Sequence, residues 1–121
     1  MTAEKKVGDW IETTIYFGMD IPSGGVISDA QFDEFLKETV TKEFPMGLTA
    51  YPAYGQMKNA DGSIERQKTE VVVLVHEQTE ANLEAVRKVV DAYRAEFGKP
   101  QVMQTTRTVD VAFFQSAEAQ T

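Results

Sequence analysis

A carboxylate and a phenol lie at alternate positions of one short segment of the sequence. Glu12, Thr14 and Tyr16 are spaced two residues apart, and side chains with that spacing share one face of a β-strand. If that face lines a pocket, Glu12 is the candidate general base, because burial raises the pKa of a carboxyl group toward neutrality. Tyr16 is the candidate donor that stabilises an oxyanion. The alternative for Glu12 is a rim carboxylate that is solvated or paired with a lysine.

The other candidates are one histidine, two arginines and a tyrosine. His76 is the only histidine. If it lies near a pocket mouth it suits proton transfer; the alternative is an exposed residue at the turn between strand and helix, with no role in a site. Arg66 and Arg107 are candidate clamps for a substrate carboxylate, with a cross-strand ion pair as the alternative. Tyr54, on a segment bent by proline, belongs either to a pocket mouth or to ordinary aromatic packing. The predicted catalytic residues are Glu12, Tyr16 and His76, and the predicted substrate-binding residues are Thr14, Tyr54, Arg66 and Arg107.

No sequence motif indicates a metal ion or a cofactor. The chain contains no cysteine, which excludes disulfides and thiolate metal sites. Its single histidine has no partner at metal-ligand spacing, and neither a glycine-rich phosphate loop nor a Gly-x-Ser-x-Gly elbow is present. We therefore expect no metal and no organic cofactor, and a small organic molecule as the ligand.

The apolar pattern predicts an alternation of strands and helices that positions these candidates. Period-two alternation predicts strands over 10–18, 48–56, 65–76 and 101–114, and helical spacing predicts helices over 29–44 and 80–97, capped by Ser28 and Thr79. This order is typical of the α+β ferredoxin-like βαββαβ sandwich, an antiparallel four-stranded sheet with two helices on one face. The first and third strands are expected at its centre, and Pro52 places the second strand at an edge.

The third predicted strand is apolar on both of its faces. Val71, Val73 and Val75 point one way, and Val72 and Leu74 point the other. A face left to water would alternate with polar residues. We therefore expect the second sheet face to be buried by another copy of the chain or to line a cavity, which makes self-association the prediction. A terminal arm folded over this face within one chain is the alternative.

Length and charge limit the class of protein. A chain of 121 residues with 42% hydrophobic residues predicts a single domain over 1–121, with an ordered core at 10–114 and a polar tail after Phe114. The net charge of −7 argues against a nucleic-acid partner, and no segment has the apolar length to span a membrane. The first ten residues carry lysines but no apolar run, so we expect a cytoplasmic protein; an exported protein trimmed to its mature form is the alternative.

Several short segments resemble a bacterial protein family. They are Ile15-Tyr16-Phe17-Gly18, Glu43-Phe44-Pro45-x-Gly47-Leu48-Thr49 and Tyr54-Gly55-Gln56, followed by the turn Asp61-Gly62. On these residues the chain resembles the domain of unknown function 3574, over about residues 13–114. Family members commonly carry a tryptophan where this chain has Met57, and often a lysine where it has Glu70. The resemblance implies one compact α+β domain and no particular activity.

Two functions from different classes fit these residues. The first is a small-molecule enzyme without an organic cofactor, of isomerase, lyase or hydrolase type, in which a pocket carboxylate abstracts a proton with tyrosine assistance. The alternative is a non-catalytic ligand-binding or oligomerisation module. A pocket with convergent polar groups favours the enzyme, and a dry, filled interface favours the module.

Overall fold

The computed structural model describes the backbone of residues 2–5 and 9–115 and the side chains of residues 9–114. The strands are β1 (Thr2–Lys5), β2 (Trp10–Gly18), β3 (Thr49–Lys58), β4 (Ile64–Glu77), β5 (Val102–Val109) and β6 (Ala112–Gln115). The helices are α1 (Asp29–Phe35), a π-helical segment (Leu36–Val40), α2 (Thr41–Glu43) and α3 (Glu80–Glu96).

Four strands form one antiparallel sheet in the order β3-β4-β2-β5. The first helical stretch connects β2 to β3, and α3 connects β4 to β5. The predicted ferredoxin-like α+β fold is therefore confirmed, with β2 and β4 at the centre and the proline-containing β3 at an edge. β3 and β4 pair beyond the end of β2 as far as Lys58 and Ile64, so their hairpin projects past the rest of the sheet.

Local sequence signals determine where the helices begin and end. The Ser28 hydroxyl accepts a hydrogen bond from the Gln31 backbone N–H at 3.1 Å, and the Gln31 side chain accepts one from the Ser28 N–H at 2.9 Å. This capping box starts α1 where it was predicted. Helical backbone then continues through the π-helical segment to Glu43, and it stops before Pro45 because a proline cannot extend it. Thr79 caps α3 through its hydroxyl alone, which accepts the Asn82 backbone N–H at 3.1 Å.

The helices cover one sheet face through an aromatic cluster. The Phe17 ring lies 4.6 Å from that of Tyr93 and 5.6 Å from those of Phe32 and Phe35, measured between ring centroids. Edge-on and tilted contacts of this kind add to the burial of large apolar rings. Because strand side chains alternate, Trp10, Glu12, Thr14 and Tyr16 share the opposite face, which we call the second face.

Among the described residues no helix packs on the second face. Val71 is nonetheless 1% exposed, because it lies on the central strand with Tyr16 and Tyr51 opposite it on either side. Val73 is half-buried, and Val75 is 42% exposed. The two apolar faces of β4 are thus buried in different ways. Helices cover one face, while side chains of the neighbouring strands partly shield the other.

The strand predicted over 101–114 is wrong in its extent. β5 ends at Val109, whose partner is Trp10, the first residue of β2. Beyond that point β2 offers no further partner, and β6 pairs instead with β1 in a separate two-stranded sheet. Of the polar tail predicted after Phe114, Gln115 belongs to β6, and residues 116–121 lie outside the described part of the chain. No helix in the described ranges is long and apolar enough to cross a membrane.

Candidate functional site

An open groove of about 420 Å³ lies on the second face, at the end of the sheet where β2 finishes. We call it the Tyr16 groove. Tyr16 and two methionines, Met57 and Met103, supply its apolar surface, and glutamine and threonine side chains supply hydrogen-bonding groups. The lining residues are Tyr16, Gly18, Ala53, Tyr54, Gly55, Gln56, Met57, Glu65, Gln67, Thr69, Gln101 and Met103. Glu65 is the one carboxylic acid among them, and the set includes neither lysine nor arginine.

Gly18 forms the most tightly packed part of the groove floor. Its N–H donates to the Gln101 carbonyl at 2.8 Å, and its carbonyl accepts the Tyr93 hydroxyl at 2.6 Å. A Cβ at this position would lie 2.8 Å from the Gln101 oxygen and 2.9 Å from Gln67 Nε2. Burial raises the pKa of Tyr93, so its hydroxyl remains a protonated donor. Only glycine therefore allows β2, α3 and the start of β5 to meet here.

Gly55 lies on the opposite wall and has free space beside it. A Cβ there would meet its nearest atoms, Thr69 Oγ1 and the Gln67 carbonyl, at 3.8 and 3.9 Å, which are ordinary contact distances. The φ angle of Gly55 is not positive, so a residue with a side chain is compatible with the strand at this position. This wall is accordingly open enough to receive either a larger residue or part of a ligand.

Glu12 and Arg107 are bound to each other on the second face. Arg107 Nη2 lies 3.0 Å and Nε 3.1 Å from the same oxygen, Glu12 Oε1. The two residues are cross-strand partners, and Arg107 is the more exposed, at 72% of its side chain against 25% for Glu12. This is the ion pair foreseen as the alternative for Arg107. It neutralises the predicted general base and leaves Glu12 outside the lining of the Tyr16 groove.

His76 lies on the helix-covered face and is 5% exposed. Its Nδ1 lies 2.9 Å from the Glu77 carbonyl oxygen, which only accepts, so Nδ1 carries a proton. In the neutral ring Nε2 is then an acceptor, and the Thr13 hydroxyl donates to it at 2.8 Å. Both ring nitrogens are thus hydrogen-bonded, Nε2 to Thr13 of β2 and Nδ1 within β4, and the sheet separates His76 from Glu12 and Tyr16.

The remaining predicted residues divide between the groove and its surroundings. Thr14 is 9% exposed on the second face, between Val73 and Thr105. Tyr54 lines the Tyr16 groove and is 79% exposed. Arg66 Nε donates to Gln56 Oε1 at 3.0 Å across the projecting hairpin, and Arg66 is not among the lining residues. The structure thus places Tyr16 in the groove and Glu12, Thr14 and Arg107 beside it. Tyr54 borders the groove through its strand position, but it pairs with Lys68, and alternation directs its side chain to the face opposite Tyr16.

Several groove residues were not anticipated from sequence. Gln67, Gln101 and Met103 carry no motif and became relevant only through the pairing of three strands. Gly18 had a usable signal, because a glycine inside a strand often marks a close backbone approach. The alternation that placed Glu12 and Tyr16 on one face, continued across the register, also leads to Met103.

A charged cluster lies at the start of α1, outside the Tyr16 groove. Lys68 Nζ is 2.5 Å from Asp29 Oδ1, and this hydrogen bond raises the pKa of Lys68. Burial, together with Asp29 and Asp33, raises the pKa of Glu70, although Lys68 opposes the effect. In the described part of the chain no three His, Cys, Asp or Glu side chains are grouped closely enough to hold a metal ion.

The sequence model of a family described as "Protein of unknown function (DUF3574)" matches residues 12–113. The chain belongs to this family. The match spans the Tyr16 groove from β2 to β5, and it agrees with the segments around Tyr16, Pro45 and Gly55 that carried the resemblance. No curated protein matches this DUF3574 chain.

Solved structures of other proteins share the fold. The DUF3574 chain is similar to a phage SAM lyase in complex with S-methyl-5′-thioadenosine, with 10% identity, a TM-score of 0.64 and coverage of 89% of this chain and 93% of that one. It is also similar to CutA from Synechococcus elongatus complexed with a Bis-Tris molecule, with 9% identity, a TM-score of 0.56 and coverage of 98% and 93%. For a GlnK–ATP complex from B. subtilis the values are 14%, 0.50, and 84% of each chain. At these identities the likeness shows the fold alone.

Proposed function

We propose that this DUF3574 protein binds an uncharged small organic molecule in the Tyr16 groove. The observation that carries the proposal is a groove of ligand size, about 420 Å³, on a sheet face that no described helix covers. Ligand sites typically combine an apolar surface with a few convergent polar groups. Tyr16, Met57 and Met103 provide the first, and the amides of Gln67 and Gln101 provide the second.

The lining chemistry indicates the class of ligand. Amide side chains both donate and accept hydrogen bonds, while thioethers and a phenol ring suit a flat or sulfur-containing apolar body. A nucleotide phosphate needs cationic side chains or an equivalent anion site, and none of the groove residues is basic. S-methyl-5′-thioadenosine, the molecule named with the phage SAM lyase, is uncharged and has both amide-complementary edges and a thioether. It is therefore a suitable first probe.

A lyase or isomerase activity on the same ligand is the second candidate. It is favoured by Tyr16 lining the groove and by Glu12 lying on the same face, four residues away along β2. For Glu12 to abstract a proton, its ion pair with Arg107 must open when substrate binds. Glu12→Gln and Tyr16→Phe should then reduce turnover by about 100- to 10,000-fold while ligand binding persists. A non-catalytic binding module would show unchanged binding and no turnover in any variant.

We also propose that a second copy of the chain covers the middle of the second face, between its two ends. Tyr51 is 47% exposed there, and Val73 is only half-buried. No described helix packs on this part of the sheet, and an exposed apolar surface of this kind usually marks an interface. Two-fold association of identical chains is the commonest way to bury it.

A thermal-shift screen of metabolites, beginning with S-methyl-5′-thioadenosine, tests the ligand proposal. A compound present at 100 times its Kd should stabilise the protein by about 2.7 kcal/mol and raise Tm by roughly 10 °C. Gly55→Val fills the groove from its open wall and should abolish the shift. Ala50→Val, on the same strand but outside the groove, is the matched control and should retain it. Equal shifts in both variants would place the ligand elsewhere.

Sedimentation velocity tests the proposed association. Tyr51 and Leu83 are exposed to similar extents, 47% and 43%, but Tyr51 lies on the second face and Leu83 on α3. Tyr51→Lys should shift the protein toward monomer at micromolar concentration, and Leu83→Lys should not. A wild-type protein that sediments as a monomer at every concentration tested would refute the association without affecting the ligand proposal.

A further inference from the structure

A second groove, of about 600 Å³, lies at the opposite end of the second face. We call it the Trp10 groove. It runs between the segment that follows α2 and the end of β4, and its volume is within the usual range for small-molecule sites. Trp10, Phe44 and Phe113 supply aromatic surface, and Val73 and Val75 supply aliphatic surface.

The indole of Trp10 has an unused hydrogen-bond donor. Its ring packs edge-on against Phe113 at a centroid distance of 5.9 Å. Its Nε1–H is shielded from solvent and has no hydrogen-bond partner among the described residues. Buried donors are nearly always paired in folded proteins, so a ligand acceptor that reaches this atom would satisfy it.

The charged groups lining the Trp10 groove are carboxylates. Glu77 is the cross-strand partner of Trp10 on the second face, which places the acid beside the indole. Glu43 is the last residue of α2, where the helix dipole disfavours a negative charge. Neither acid forms a salt bridge with a described side chain. The groove lining includes no lysine or arginine, and both nitrogens of His76 are already hydrogen-bonded.

We propose that the Trp10 groove binds an organic ammonium ion that also carries a hydrogen-bond acceptor. The cation lies against the Trp10 ring, since indole is the strongest aromatic partner of ammonium groups, and Glu43 and Glu77 neutralise its charge. The acceptor takes the Nε1–H, and the alkyl part contacts Val73 and Val75. This second site is separate from the Tyr16 groove, and it does not depend on the function proposed there.

Trp10 is the only tryptophan of the chain, so intrinsic tryptophan fluorescence reports on this groove directly. Choline is the probe, because it combines a quaternary ammonium with a hydroxyl. Its uncharged isostere 3,3-dimethylbutan-1-ol, in which carbon replaces nitrogen, is the matched ligand control. Choline should change the emission of Trp10 saturably, and the isostere should bind at least about tenfold more weakly. Equal responses to the two compounds, or no saturable response to choline, would overturn the proposal.

Two sets of protein variants complete the experiment. The double variant Glu43→Gln/Glu77→Gln should weaken choline binding by about tenfold, whereas Glu96→Gln, on α3 outside the groove, should leave it unchanged. Circular dichroism confirms that each variant is folded. Gly55→Val should bind choline normally, which separates this site from the Tyr16 groove. If choline has no effect and Trp10 emission changes with protein concentration instead, the groove is a subunit interface and the proposal is wrong.

Discussion

Gly18→Ala should destabilise the protein strongly, although it adds a single methyl group. The new Cβ would lie 2.8 Å from the Gln101 carbonyl oxygen, whereas ordinary contact begins at 3.4 Å. The start of β5 must therefore move by about 0.6 Å. The same oxygen accepts the Gly18 N–H at 2.8 Å, so the movement strains this hydrogen bond. The Tyr93 hydroxyl, which donates to the Gly18 carbonyl, prevents β2 from moving away instead. Overpacking of about 1–3 kcal/mol plus one weakened bond predicts a loss of roughly 2–4 kcal/mol.

Urea denaturation of Gly18→Ala and Gly55→Ala side by side measures this effect. Gly55 lines the same groove, but a Cβ there has 3.8 Å of clearance. Its free energy of unfolding should therefore stay within about 0.5 kcal/mol of wild type. If the two variants were equally stable, β5 would be free to move at Gln101, and the groove floor would not be the fixed surface that ligand binding requires.

Four further substitutions test the core, the second face and the electrostatics. Since burial raises the pKa of Glu70 above its ordinary value of 4.5, the folded state holds that proton more tightly and stability falls as pH rises through the raised pKa. Glu70→Gln should thus increase the free energy of unfolding at pH 7, and this gain should disappear below about pH 4. Urea titrations that showed a larger gain at acidic pH than at pH 7 would contradict this. Tyr93→Phe leaves the Gly18 carbonyl without its buried donor and should lower the free energy of unfolding by about 1–3 kcal/mol in the same assay. An unchanged free energy would mean that water replaces the hydroxyl. Val72→Asp puts a carboxylate at a fully buried position and should unfold the protein by circular dichroism, whereas Val73→Asp, on the second face, should stay folded and associate less in sedimentation.

The fold was predictable because its local signals agree with one another. The alternation in β2, the Ser28 and Thr79 caps and the proline in β3 each follow from short-range rules, and together they specify one order of elements. The extent of β5 was not predictable in this way. Whether residues 110–115 continue a strand depends on the partner across from them, and β2, which begins at Trp10, offers them none. Strand pairing of this kind is a long-range property that alternation does not contain.

The sequence predicted which sheet face carries the candidate site residues, but not which side chains they contact. Alternation placed Glu12, Thr14 and Tyr16 together, and cross-strand register then brought Arg107 onto Glu12. The same alternation puts His76 on one face with Val72 and Leu74. Only the position of the helices shows that this is the covered face. Sequence spacing states which side chains share a face, while the packing of the helices decides which of those faces can bind a ligand.

The most direct test of the central proposal is amide chemical-shift mapping of a fragment library of uncharged aromatic compounds on ¹⁵N-labelled protein. This measurement does not require the natural ligand to be known. If the Tyr16 groove is the ligand site, binding fragments should perturb amides around Tyr16, Gly55, Gln67 and Met103, and Gly55→Val should abolish those changes. Fragments that bind only elsewhere, or that perturb wild type and Gly55→Val alike, would contradict the proposal.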